Sequence, residues 1–168
     1  MSDLRAADAR ARERALDVGQ SFIVQAPAGA GKTELLTRRF LALLATVEEP
    51  ESILAITFTR KAAAEMRDRI LRALRAVHAP DPDRPLHERT LQLARAALAV
   101  DAARGWNLLA QPGRLRIQTI DALNLALARR LPLLSGLGAG LGIEEDARDL
   151  YLRAAVRLLE QLPHGLPV

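Results

Sequence analysis

"SFIVQAPAGAGKTELLTRRF", Ser21 to Phe40, is the stretch whose reading decides the fold. Residues 21–26 (SFIVQA) form a short apolar run with Phe, Ile and Val, which reads as a buried strand. Ala26, Pro27, Ala28, Gly29, Ala30, Gly31, Lys32 and Thr33 follow the pattern G-x-x-x-x-G-K-[ST], except that Ala26 stands where the first glycine is usual. From Lys32 onward the period becomes helical, with Leu35, Leu36, Phe40, Leu43 and Leu44 on one face and Arg38 and Arg39 off it. A small-residue turn between a buried strand and an amphipathic helix is where a phosphate-binding loop belongs. Small residues at 28 to 31 let backbone N–H groups turn inward around an anion, and Gly29 and Gly31 can take conformations that a side chain forbids. The helix start adds partial positive charge. Lys32 is then placed to reach the β- and γ-phosphates of a nucleotide, and Thr33 to offer its hydroxyl to Mg²⁺.

Composition agrees with a folded α/β domain and excludes several chemistries. The 168 residues suffice for a domain with its own core, and 49% are hydrophobic. Aromatics are only 3%, so leucine and alanine must do most of the packing. The lack of cysteine removes disulfides, thiolate metal sites and thiol catalysis. The three histidines, His78, His87 and His164, are too scattered for a metal cluster. No apolar run reaches membrane-spanning length, and the charged N-terminus does not read as a signal peptide, so a cytoplasmic protein is expected. The net charge of +4 is compatible with a polyanionic partner. Only Lys32 and Lys61 among the 24 basic residues are lysine, and Lys32 holds the position where the motif needs a compact ammonium.

Outward from the loop, residues 3–16 read as a polar helix, 53–58 (ILAITF) as a second buried strand and 59–77 as an amphipathic helix with Ala63, Met66, Ile70, Leu74 and Val77 inward. A proline-broken turn at 78–85 leads to a helical stretch, 86–103. Residues 114–121 (RLRIQTID) read as a third strand that enters a helix ending at Arg130. A Gly-punctuated loop, 131–142, precedes a last amphipathic helix, 143–162. This alternation predicts an α/β fold, a mostly parallel sheet flanked by helices.

Three segments carry a resemblance. QAPAGAGKTELLTRRFLALL resembles motif I, ILAITFTRKAAAEMRDRI motif Ia, and RLRIQTIDALN motif Ib of UvrD/Rep-type superfamily 1 DNA helicases, with wording closest to the AddA/RecB-like helicase–nuclease branch. The resemblance runs from about Ser21 to Arg130. It implies a RecA-like, P-loop ATP-binding domain over 1–130 with a helical insertion near 78–112, and the start of a helical subdomain over 131–168. It also implies ATP and Mg²⁺ as cofactors, single-stranded DNA and a second helicase–nuclease subunit as partners, and a role in DNA repair or recombination. DNA contacts then map to Thr57, Phe58, Thr59, Arg60 and Lys61, and to Thr119, Ile120 and Asp121. Hydroxyls, helix starts and cations can hold phosphates without reading sequence. Phe58 can either stack on a base or serve as a core aromatic, and Thr59 can serve as a helix N-cap.

Two departures accompany the resemblance. The upstream glutamine that reads adenine in the family has no counterpart near Arg12, and Gln20 lies close to the strand. The apolar strand ending in Asp-Glu (Walker B) is absent from the 168 residues; Leu98 to Asp101 (LAVD) comes nearest but lies in a helical pattern. Catalytic residues therefore stay unassigned, and the chain alone is expected to bind ATP and DNA without unwinding. A small standalone P-loop nucleotide kinase and a non-catalytic nucleotide-binding module remain as alternatives.

Overall fold

The computed structural model of the chain describes residues 2–130 and 146–160. They fall into two compact units, Met1–Asn124 and Leu125–Val168. The first unit carries α1 (Ser2–Arg14), α2 (Lys32–Leu44), β1 (Leu54–Thr57), α3 (Arg60–Ala76), α4 (Glu88–Arg104) and β2 (Arg116–Thr119). The division runs through α5 (Ile120–Arg130), and the second unit contains α6 (Arg148–Glu160).

β1 and β2 pair in parallel, in the register Leu54↔Arg116, Ala55↔Ile117, Ile56↔Gln118 and Thr57↔Thr119. A parallel pair needs a long crossover, which α3 and α4 supply. α3 is the centre of the core: Ala63, Ile70, Leu71, Ala73 and Leu74 are buried, at the spacing its sequence predicts. Around it pack Phe40, Leu41 and Leu44 from α2, Ala94 and Ala97 from α4, and Ile117 from β2. The buried alanines of α3 and α4 let these two helices lie close together, so a core with few aromatics still fills. Trp106, the one tryptophan, is buried beside Leu108, and its indole N–H donates to the Glu48 carbonyl at 3.2 Å.

The loops before the two strands are tied together. Arg114 donates from Nε to Glu51 Oε1 at 2.6 Å, from Nη2 to Glu49 Oε2 at 2.8 Å, and from Nη1 to the Trp106 carbonyl at 3.3 Å. The hydrogen bond from Arg114 holds the Glu51 carboxyl below its ordinary range, against a smaller opposing effect of desolvation. The same partnership raises the Arg114 guanidinium.

Two expectations need correction. Residues 21–26 do not form a strand; they carry no regular secondary structure, and Ile23 is 100% exposed. A strand exists through its ladder, and among the described residues β1 and β2 pair only with each other, leaving the backbone of 21–26 without a partner strand. Among the described residues the sheet thus has two strands rather than three. Its strands are also not buried on both faces. Ala55, Ile117 and Thr119 lie toward the helices, whereas Leu54 and Ile56 are 39% and 48% exposed. In the second unit, α6 occupies part of the expected helix 143–162 and buries none of its residues. The expected Gly-rich loop 131–142, like Ile143 and Leu162, lies outside the described residues.

Candidate functional site

The loop at 26–33 takes its shape from two glycines. Gly29 and Gly31 have φ of 76° and 78°, in the left-handed region that a Cβ disfavours. Gly31 is also the N-cap of α2, and no side chain caps the helix start. The first-turn N–H groups of that helix are therefore left for another acceptor. A turn bond from Ala30 N to Pro27 O at 3.3 Å closes the loop.

Lys32 folds over this loop. Its Nζ donates to the carbonyls of Ala26 at 2.5 Å and Pro27 at 2.7 Å. An ammonium has three donors, so one remains, and no ion pair with Lys32 forms among the described residues. The charge is thus held at the loop and left uncompensated. The Thr33 side chain is exposed, while its carbonyl accepts from the Thr37 hydroxyl at 2.9 Å. Among the described residues no group of three or more His, Cys, Asp or Glu side chains could hold a metal. A divalent cation here would therefore draw its oxygens from Thr33, water and a bound phosphate chain, which is the habit of Mg²⁺.

A cavity of about 290 Å³ opens beside the loop, lined by Arg12, Phe22, Gln25, Ala26 and Lys32 among others. Two arginines outside the 26–33 loop build its surroundings. Arg12 donates from Nη2 to the Ala30 carbonyl at 2.8 Å and from Nε to Asp8 Oδ2 at 2.8 Å. Arg39 donates to the carbonyls of Ala15 (2.7 Å), Asp17 (3.0 Å) and Gln20 (2.7 Å), and its guanidinium lies 5.3 Å from the Phe22 ring centre. Arg39 thereby ties the end of α1 and the approach to the loop onto α2. Gln20 donates its side-chain amide to Asp17 at 2.8 Å.

The second group of predicted residues lies at the carboxyl ends of β1 and β2. Because Thr57 and Thr119 are register partners, the segments that leave both strands emerge side by side. Each segment starts a helix with a threonine cap: the Thr59 hydroxyl accepts from Ala62 N at 3.1 Å, and the Thr119 hydroxyl accepts from Ala122 N at 3.1 Å. Thr57, Phe58, Thr59, Arg60, Lys61, Thr119, Ile120 and Asp121 are thus brought to one sheet edge. Phe58 is 86% exposed, which removes the core-aromatic reading. Arg60 and Lys61 are exposed, pair with no carboxylate among the described residues, and sit in a first turn that has no acid. Two cations there oppose the helix dipole, so an anionic ligand would relieve them. Leu98 to Asp101 lies inside α4, so it is no strand.

Comparison with known proteins bears on the family of the chain. A family model described as UvrD/REP helicase N-terminal domain matches residues 7–162. The chain is similar to an ATP-dependent helicase/nuclease subunit of Thermoanaerobacter sp. (strain X514), with 38% identity over 149 residues, 86% of this chain and 11% of that protein. It is 45% identical over 80 residues, 46% of the chain and 6% of the relative, to the protein of the same name from Moorella thermoacetica. Over 62 residues, 36% of the chain, it is 48% identical to the ATP-dependent DNA helicase UvrD1 of Mycobacterium leprae, covering 8% of that protein. The chain therefore spans about a tenth or less of the length of these relatives.

Proposed function

The chain belongs to the UvrD/REP helicase N-terminal domain family, and on that premise we propose that it is the ATP-binding, DNA-contacting N-terminal part of an ATP-dependent DNA helicase of the helicase–nuclease type. The observation that carries this reading is the loop: two glycines at positive φ, an uncapped helix start and a lysine held over the loop without a counter-charge. In this reading Ala26, Pro27, Ala28, Gly29, Ala30 and Gly31 wrap the phosphates with backbone N–H groups. Lys32 spends its remaining donor on a phosphate oxygen, and Thr33 ligates Mg²⁺. Mg-ATP, when bound, supplies the phosphoanhydride whose cleavage drives movement along DNA. The residues at the sheet edge hold a single strand by its phosphates, with Phe58 against a base. The sheet and crossover serve as the first part of a RecA-like P-loop domain over 1–130, with a further helical subdomain starting at 131. A second helicase–nuclease subunit, work in DNA repair or recombination, and a cytoplasmic location follow from the same reading; no helix among the described residues is long and apolar enough to cross a membrane.

Walker B is absent from the 168 residues, so this polypeptide by itself binds nucleotide without turning it over at a helicase's rate. The test is calorimetry with Mg-ATP. Lys32→Ala weakens binding by at least ~10-fold, since a charge-assisted phosphate contact is worth roughly 1.5–3 kcal/mol. Lys32→Arg weakens it too, because a planar fork cannot take the place of a point charge between two loop carbonyls. Wild-type affinity in both variants would remove the nucleotide site from the loop.

A further inference from the structure

We propose that Arg12 is a positioning residue for the phosphate loop, setting the orientation of the Gly31 N–H through the carbonyl of Ala30. The inference rests on the nucleotide-site reading above and adds to it a residue from outside the motif. The Arg12 guanidinium is held at both ends. Its Nε is fixed by Asp8 at 2.8 Å within α1, and its Nη2 reaches across 18 positions of sequence to the Ala30 carbonyl at 2.8 Å. The Ala30 carbonyl and the Gly31 N–H belong to one planar peptide unit. That unit is trans, so the two groups point to opposite sides. Engaging the carbonyl from the α1 side therefore turns the Gly31 N–H away from α1.

Gly31 is the residue where this orientation counts. It is the N-cap of α2 at φ 78°, and without a side chain its backbone could flip between orientations of similar energy. The arginine removes that freedom. The fit is close as well: a Cβ at Gly31 would lie 3.2 Å from Arg12 Nη1. A loop whose N–H groups already converge binds phosphate without reorganising first, and pre-organisation of this kind raises affinity. Arg12 also lines the same cavity as Lys32, so a second positive charge faces the loop's surroundings. Its side chain is only 34% exposed, so solvent does not fully screen it.

The experiment compares wild type, Arg12→Ala and Lys32→Ala in the full 168-residue chain. Calorimetry is run with inorganic tripolyphosphate, Mg-ATP and adenosine, and the Gly31 amide resonance is followed by ¹⁵N NMR. The proposal expects Arg12→Ala to weaken tripolyphosphate and Mg-ATP by a similar factor, about 5- to 10-fold, the scale of one ordinary hydrogen bond, because the arginine acts through the loop and not on the phosphate itself. It expects adenosine affinity to stay the same, and the Gly31 amide resonance to move before any ligand is added. A residue that merely docks α1 would change thermal stability without that resonance shift or that selectivity. If Lys32→Ala loses tripolyphosphate while Arg12→Ala binds it like wild type, the positioning role is overturned and the nucleotide site stands. If wild type and Lys32→Ala bind tripolyphosphate equally, the site reading fails and this inference fails with it. Should Arg12→Ala not fold, Arg12→Met, which keeps a long aliphatic side chain at this position without the guanidinium, decides by the same readings.

Discussion

Arg39 shows how one side chain can hold a site it never touches. Three backbone carbonyls, those of Ala15, Asp17 and Gln20, converge on its guanidinium. Carbonyls at the end of a helix and in the turn beyond it lack partners within the helix. Arg39→Ala leaves the Ala15 and Gln20 carbonyls to water where water reaches and unpaired where it does not, while the Asp17 carbonyl keeps its turn bond from the Gln20 N–H; the Ala15 bond is partly buried. The expected loss is about 1.5–3 kcal/mol of stability, read as a shift in the urea midpoint. Arg39→Lys recovers only part of it, because an ammonium cannot span three acceptors in a fork. An unchanged midpoint in Arg39→Ala would mean that the approach to the loop is held by the packing of Leu16, Leu35 and Phe22 alone. Residue identity gave no warning of this role. In a chain where arginine outnumbers lysine so heavily, Arg12 and Arg39 look like any other solvated arginine. Lys32 was legible for the opposite reason, being rare and placed at a motif position. Gly29 and Gly31 were legible because only a turn needs their backbone freedom.

At the scale of elements, α3 and α4 formed where their apolar periods place them, whereas in α2 the expected face shifted: Leu36 is 48% exposed and Leu41 is fully buried. The stretch read as 86–103 is helix Glu88–Arg104, and the inward positions Ala63, Ile70 and Leu74 of the third helix are buried. The two parallel strands formed within their expected stretches, at Leu54–Thr57 and Arg116–Thr119. Residues 21–26 did not, although their apolar, β-branched composition is as strand-like. Helix bonds are local and can be read from a window of sequence, whereas a strand is decided by its neighbour, which the window does not contain. The join beneath the two strands has a pH signature. Arg114 lowers the Glu51 pKa, so this pairing stabilises the fold fully above the ordinary carboxylate range and is lost as pH falls through the lowered Glu51 value. The pair is partly solvated, so the effect is modest. Glu51→Gln should be less stable than wild type at neutral pH, with the gap closing as the solution is acidified below the carboxylate range. Trp106 fluorescence during denaturation reports it, since Arg114 also binds the Trp106 carbonyl. A gap that stays constant through that range would show that the carboxylate charge does not matter there.

At the scale of the whole molecule, two candidate ligand regions lie on one compact unit, Met1–Asn124. One is the loop at 26–33 with Arg12 beside it. The other is the sheet edge where Thr57 and Thr119 lie abreast and Phe58, Arg60 and Lys61 face solvent. The most direct test is amide hydrogen exchange of the full chain, alone, with Mg-ATP, and with a single-stranded oligothymidine at low salt. The account predicts that Mg-ATP slows exchange at 28–35, that the oligonucleotide slows it at 57–62 and 119–122, and that added salt erases only the second effect. Protection by Mg-ATP at the sheet edge with none at 28–35, or no protection by either ligand, would contradict it.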